Sequence, residues 1–215
     1  MSVKLVWVTP DAEQLIGKMA RVSNPANEDN PNVVGLLKYL IKHKHWSPFE
    51  MASMCVHIET TRAISPQILR HSSFGFQEYS QRYAVSTEFE LPHLRRQDVV
   101  NRQSSIDDIP QSVNENFGSD IADHMCEGVK LYQRMLDAGV AKECARAVLP
   151  LNTTTRLYMS GTIRSWLHYI DLRSANGTQK EHMDIALGAK NILAEQLPNV
   201  CKAMWGNPTT GSEEP

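Results

Sequence analysis

The stretch Ala52-Ser-Met-Cys-Val-His-Ile-Glu-Thr60 decides the fold class. Ala52, Met54, Val56 and Ile58 alternate with Ser53, Cys55, His57 and Glu59, so one face is apolar and the other polar. That period of two is the mark of a half-buried strand. Most of what surrounds it has helical spacing instead. Upstream, Thr9 is placed to cap a helix with Pro10 at its first position, burying Leu15, Ile16 and Met19. Asn32–His43 reads as a second helix, and Ser47-Pro-Phe-Glu50 as an S-x-x-E capping box.

Downstream, Ser65-Pro66 opens a short helix that ends before Gly75, and Tyr83–Leu91 reads as a second strand. Gln97–Asn116 is polar and irregular, an excursion. A long helix is expected from Ser119 to Asp137, closed by Gly139, and a short one over Lys142–Val148, stopped by Pro150. Thr153–Gly161 is Thr-rich and extended. Arg164–Leu172 and Thr178–Leu197 return to helix, the latter ended by Pro198. Helices and strands mix without a βαβ rhythm, and neither G-x-G-x-x-G nor G-x-x-x-x-G-K-[ST] occurs. The expected class is α+β, mixed helices with a small antiparallel sheet, rather than a Rossmann or P-loop fold. Residues 1–206 are expected to form a single domain and 207–215 a polar, mobile C-terminal tail.

Composition agrees with an ordinary globular chain: 215 residues, 41% hydrophobic and 21% charged, with a net charge of −2. That balance gives no overall attraction to nucleic acid or an anionic membrane. No run approaches the roughly 18 apolar residues of a membrane span, and the N-terminus lacks a secretory h-region, so a cytoplasmic location is expected. Four cysteines (Cys55, Cys126, Cys144, Cys201) lie far apart and read as thiols without chemistry.

Common catalytic devices are missing: there is no G-x-S-x-G, no H-E-x-x-H and no paired Cys/His pattern. His43 and His45, two apart, suit helix-end positions better than a metal, and no metal is expected. The arginines carry the signal. Gln67 and Arg70, at i and i+3, are expected on one helical face, with His71 directly after. In the segment that follows, three hydroxyl residues, Glu78 and Arg82 surround Gly75, and a glycine turn beside Ser and Arg makes an anion cradle. Arg146, Arg164 and Arg173 lie on or beside apolar elements, where a guanidinium needs a carboxylate or phosphate partner. Singly, each could be a plain salt-bridge partner. As a pattern, they describe a binder of phosphorylated ligands.

The stretch Arg70-His-Ser-Ser-Phe-Gly-Phe-Gln-Glu-Tyr-Ser80-Gln-Arg-Tyr83 resembles the flavin-dependent thymidylate synthases, whose signature is R-H-R followed by seven residues and Ser. His43-Lys-His-Trp-Ser-Pro-Phe-Glu50 is similar to that family's flavin-side loop. Ala145-Arg146-Ala-Val-Leu-Pro-Leu-Asn152 is similar to its nucleotide-side segment, and Arg164–Arg173 with Thr178-Gln-Lys-Glu181 to its C-terminal site helix. The four blocks occur in the family's order and cover nearly the whole chain.

The resemblance implies the thymidylate synthase-complementing fold, an obligate homotetramer with sites between subunits, and reductive methylation of dUMP to dTMP. The carbon donor would be 5,10-methylenetetrahydrofolate, and the hydride would come from FAD reduced by NADPH. Carried over by position, Gln67, Arg70, Glu78, Ser80, Gln81, Arg82, Arg146 and Arg173 would bind dUMP. Arg82 and Arg146 would take its phosphate, and Arg173 would be catalytic, facing the uracil. His45, Ser47, Glu50, Arg70, His71, Ser72, Glu78, Thr162, Arg164 and His168 would line the flavin. Ser72 departs from the signature's second Arg, Ser53 stands where some relatives carry His, and Thr162 and His168 replace Asn of some relatives. These departures leave neighbouring readings open: a related C5-modifying enzyme (hydroxymethylation, or dCMP as substrate), or a catalytically impaired nucleotide-binding homologue.

Overall fold

A computed structural model describes residues 1–206; the tail expected over 207–215 lies outside the described residues. The strand read from Ala52–Thr60 is β2 (Ser53–Thr61). It lies second in a four-stranded antiparallel sheet ordered β1 (Ser2–Val8), β2, β6 (Thr154–Thr162), β3 (Gly75–Glu78). Register puts Val56 opposite Met159 and Ile58 opposite Leu157. With Met54 these side chains are fully buried, so the period of two in the sequence becomes one wall of the core.

The other wall is helical. In α6 (Ile163–Arg173), Ile163, Trp166, Leu167, Tyr169 and Ile170 are buried at helical spacing against the sheet. The Trp166 indole N–H donates to the Met54 carbonyl oxygen at 2.9 Å, which satisfies a buried donor and ties α6 to β2. α7 (Lys180–Gln196) packs beside α6 and over β1. The core is completed by α1 (Ala12–Ala20), α2 (Val34–Lys42) and α8 (Pro198–Trp205). Phe74 enters it over Gly161, where a Cβ would stand 2.5 Å from the phenyl ring. The sheet's second face stays open: Trp7 and Tyr158 are about half exposed, and the Tyr158 ring meets the His57 ring at 5.1 Å.

Between the sheet strands the chain makes an excursion. β4 (Arg96–Gln97) and β5 (Ser105–Ile106) form a small hairpin, followed by α4 (Gln111–Asp137) and α5 (Lys142–Ala145). α4 buries only Met125 and Tyr132. Gly139, at φ 84°, closes it: its N–H reaches the Leu136 carbonyl and that of Val140 reaches Met135, both at 2.9 Å.

Several local expectations are corrected. Thr9 does not cap α1, which starts after a left-handed Asp11; its hydroxyl instead accepts from the Ser53 N–H, stitching the end of β1 to β2. Met19 is exposed. Ser47–Glu50 is a single 3-10 turn with no side-chain cap, because Glu50 turns outward to Arg164. Tyr83–Leu91 is not a strand; only Phe89 makes a bridge, to Thr153. Gly75 is not a turn: it opens edge strand β3, pairing with Ser160. The excursion is shorter than expected, since α4 begins at Gln111. Pro198 ends α7 and also starts α8.

Candidate active site

α3 (Ser65–Ile68) is one turn long, so Arg70 lies beyond its end and does not share a helical face with Gln67. Gln67 reaches α7 instead, its Nε2 donating to Gln179 Oε1 at 2.7 Å. Arg70 is exposed, with no ion-pair partner among the described residues, and Ser72 is exposed on the following turn.

His71 faces inward. Tyr169 and Arg173, four residues apart on α6, occupy one helical face and both meet it. Arg173 Nε donates to His71 Nε2 at 2.9 Å, and the Tyr169 ring stands perpendicular to the imidazole at 4.9 Å. A ring nitrogen that accepts from a guanidinium is unprotonated, so His71 is neutral here. Burial, then the charges of Arg173 and Arg70, hold its pKa below the ordinary value. No carboxylate pairs with Arg173 among the described residues, so its full positive charge is retained.

The N-terminal half of α6 gathers a second group. Arg164 forms an ion pair with Glu50, and His168 meets the Trp46 ring edge-on at 4.8 Å. His45 and Ser47, on the same loop as Trp46, are exposed. Thr162 serves as the N-cap of α6, accepting from the Ser165 N–H at 3.2 Å. The His168 pKa is lowered by its loss of water and then by the Arg164 charge.

A third group lies past β3. Glu78 is largely buried, bonded to Arg62 Nη1 and to the Thr155 hydroxyl, both at 3.0 Å. Gln81 is buried and its side-chain N–H donors have no protein partner among the described residues, which marks an amide awaiting an acceptor. Ser80, Arg82, Tyr83, Ala141, Lys142 and Glu143 line an open groove of about 460 Å³. Arg82 is held there by Glu143, while Arg146 is exposed without an ion-pair partner among the described residues.

One chain therefore joins His71 with Arg173, Glu50 with Arg164, and Arg82 with Glu143 of α5, while the groove beside Arg82 is lined by neither Arg146 nor Arg173. Sequence reasoning missed Arg62, Glu143, Tyr169 and His182. Only His182 left a trace, as a polar residue in the apolar stripe His182, Ile185, Ala186, Ala189, Leu193 of α7.

Among the described residues, no helix is long and apolar enough to cross a membrane. Residues 4–199 match the family described as thymidylate synthase complementing protein. A probable flavin-dependent thymidylate synthase of Paramecium bursaria Chlorella virus 1 is 48% identical over 213 residues, covering 95% of this chain and 99% of the relative. A flavin-dependent thymidylate synthase of Synechocystis is 52% identical, covering 89% of each. Among solved structures, a UMP/dUMP methylase from Streptomyces cacaoi bound with 5-Br dUMP superposes with a TM-score of 0.84 at 27% identity, over 94% of this chain and 93% of that one. The α+β arrangement, the arginine blocks and nearly full-length similarity agree: this chain belongs to the thymidylate synthase complementing protein family.

Proposed function

We propose that this chain is a flavin-dependent thymidylate synthase, an enzyme that replaces the C5 hydrogen of dUMP by a methyl group. The methylene would come from 5,10-methylenetetrahydrofolate and the reducing equivalents from NADPH. Carrying the reading is Arg173, a half-buried guanidinium fixed by an uncharged imidazole rather than by an acid. A charge held in place but not neutralised is what a developing pyrimidine enolate needs, and preorganised groups of that kind contribute several kcal/mol.

The remaining residues divide by chemistry. Arg82 and Arg146 take the phosphate, with Ser80 and the unpartnered Gln81 amide beside them. Gln67, Arg70 and Glu78 complete the nucleotide side, Glu78 with its carboxylate set by Arg62 and Thr155.

The donor set fits FAD: Arg70 and Arg164 suit a pyrophosphate, and His45, Ser47, Glu50, His71, Ser72, Glu78, Thr162 and His168 offer polar groups around them. When bound, the flavin supplies the hydride that reduces the transferred methylene to methyl. Glu50 sets the Arg164 guanidinium, and the Trp46–His168 contact packs the loop against α6.

Two observations support completion of the site by neighbouring subunits of a homotetramer. The groove that holds Arg82 is not lined by Arg173, and the outer face of the sheet leaves Trp7 and Tyr158 about half exposed. The test is spectroscopic and kinetic. The purified protein should be yellow and should oxidise NADPH only when dUMP is present; a protein that binds no flavin would overturn the reading.

A further inference from the structure

Beneath His71 lies a buried polar pair to which no role in substrate or cofactor binding falls. His182 of α7 is fully buried, and its Nε2 stands 3.1 Å from the Tyr169 hydroxyl. Its Nδ1 is buried with no protein partner among the described residues. An aliphatic side chain in this apolar stripe would fill the space without the desolvation cost of an imidazole.

The pair has a geometric consequence. Tyr169 is clamped on its ring by Phe74 at 5.7 Å and Trp166 at 5.8 Å, and at its hydroxyl by His182. The plane so fixed is the wall against which His71 stands at 90°. His71 in turn presents Nε2 to Arg173. We infer that His182 is a positioning residue: by anchoring the Tyr169 hydroxyl it fixes the His71 ring, and through that acceptor the orientation of the Arg173 guanidinium.

The chain of contacts works only while His71 is uncharged, since a protonated Nε2 would point a proton at a cation. The groups facing His71 support neutrality from each side: Arg70 on its own loop, Arg173 and Tyr169 on α6, and His182 on α7 at 6.1 Å between rings. None of these is a carboxylate. Burial, followed by the Arg173 charge, brings the His182 pKa down to about 4, so that ring is neutral as well.

The inference rests on the reading of Arg173 as the group facing the pyrimidine, and its test separates the two. His182→Leu removes the anchor, while His182→Gln keeps an amide at the position of Nε2. His182→Leu should lower kcat about tenfold or more with the KM for dUMP changed less than about twofold, because orientation is felt mainly in the transition state. By NMR, without substrate, its His71 titration should move up toward the ordinary histidine value. His182→Gln should retain kcat within about threefold and keep the wild-type His71 titration. Should His182→Leu fail to fold, Tyr169→Phe, which keeps the ring and loses the hydroxyl, carries the same expectation as His182→Leu. Equal losses in the Leu and Gln variants, or an unmoved His71 titration and kcat in His182→Leu, would overturn the inference. A wild-type protein that never turns over dUMP would instead overturn the reading of Arg173, while the NMR titration still decides whether His182 governs His71.

Discussion

Arg82 and Glu143, 61 residues apart in sequence, meet so that Nε and Nη2 of the guanidinium both lie within 3.2 Å of one carboxylate oxygen. The pair is well exposed, and a contact of that kind stabilises by at most about 1 kcal/mol. It nevertheless occupies the proposed phosphate ligand. A nucleotide phosphate would have to displace Glu143, and the carboxylate left behind would repel it.

Glu143→Gln is therefore expected to tighten dUMP binding by about two- to fivefold, the range that corresponds to an exposed ion pair. Calorimetry of dUMP against the two proteins checks it. Weaker binding in the variant would assign Glu143 to the substrate side of the groove.

Arg173→Lys keeps the charge but loses the Nε–H that bonds His71. Its kcat should fall by about a hundredfold while the dUMP KM moves only a few-fold. Steady-state kinetics within about twofold of wild type would show that charge alone suffices.

Much of this arrangement was legible in the sequence for physical reasons. β2 and β6 lie inside the sheet with one face buried, so their alternation is written in residue type, as at Met54, Val56, Leu157 and Met159. β1 and β3 lie at the edges and take their conformation from pairing. Lys4-Leu-Val-Trp-Val8 does not alternate cleanly, since a bulge between Leu5 and Trp7 breaks the register. Gly75, read as a turn, extends because Ser160 offers it a ladder. The arginine blocks were visible as spacing, but their partners were not: Glu143 and Arg62 come from segments far from the residues they hold. His182 could have been noticed as a polar interruption of an apolar stripe; its role depends on Tyr169, which only the packing of α6 on α7 reveals.

Stability should fall in acid through the buried histidines. The folded-state pKa of His182 lies near 4, below the ordinary 6.5, so the unfolded chain binds more protons between those values. The stabilisation is fully present above about 6.5 and is lost as pH falls toward 4, by about 1.4 kcal/mol per pH unit for one such group. His71, shifted in the same direction, adds to the loss. Urea midpoints between those pH values should decline, and His182→Leu should flatten the decline. A wild-type midpoint independent of pH over this window would contradict the buried, neutral assignment.

Gly161→Ala tests how the wall behind Tyr169 is built. The added methyl would stand 2.5 Å from the Phe74 ring, which is itself packed edge-on against Trp166 at 4.8 Å. Displacing that ring should cost about 1–3 kcal/mol. A thermal midpoint unchanged from wild type would mean that Phe74 moves freely.

The most direct test of the central claim is the mass of the nucleotide recovered after incubating the purified protein with dUMP, FAD, NADPH and 5,10-methylenetetrahydrofolate. A product heavier than dUMP by one CH2 is the predicted result. Unchanged dUMP, or a product carrying an additional oxygen, would contradict it.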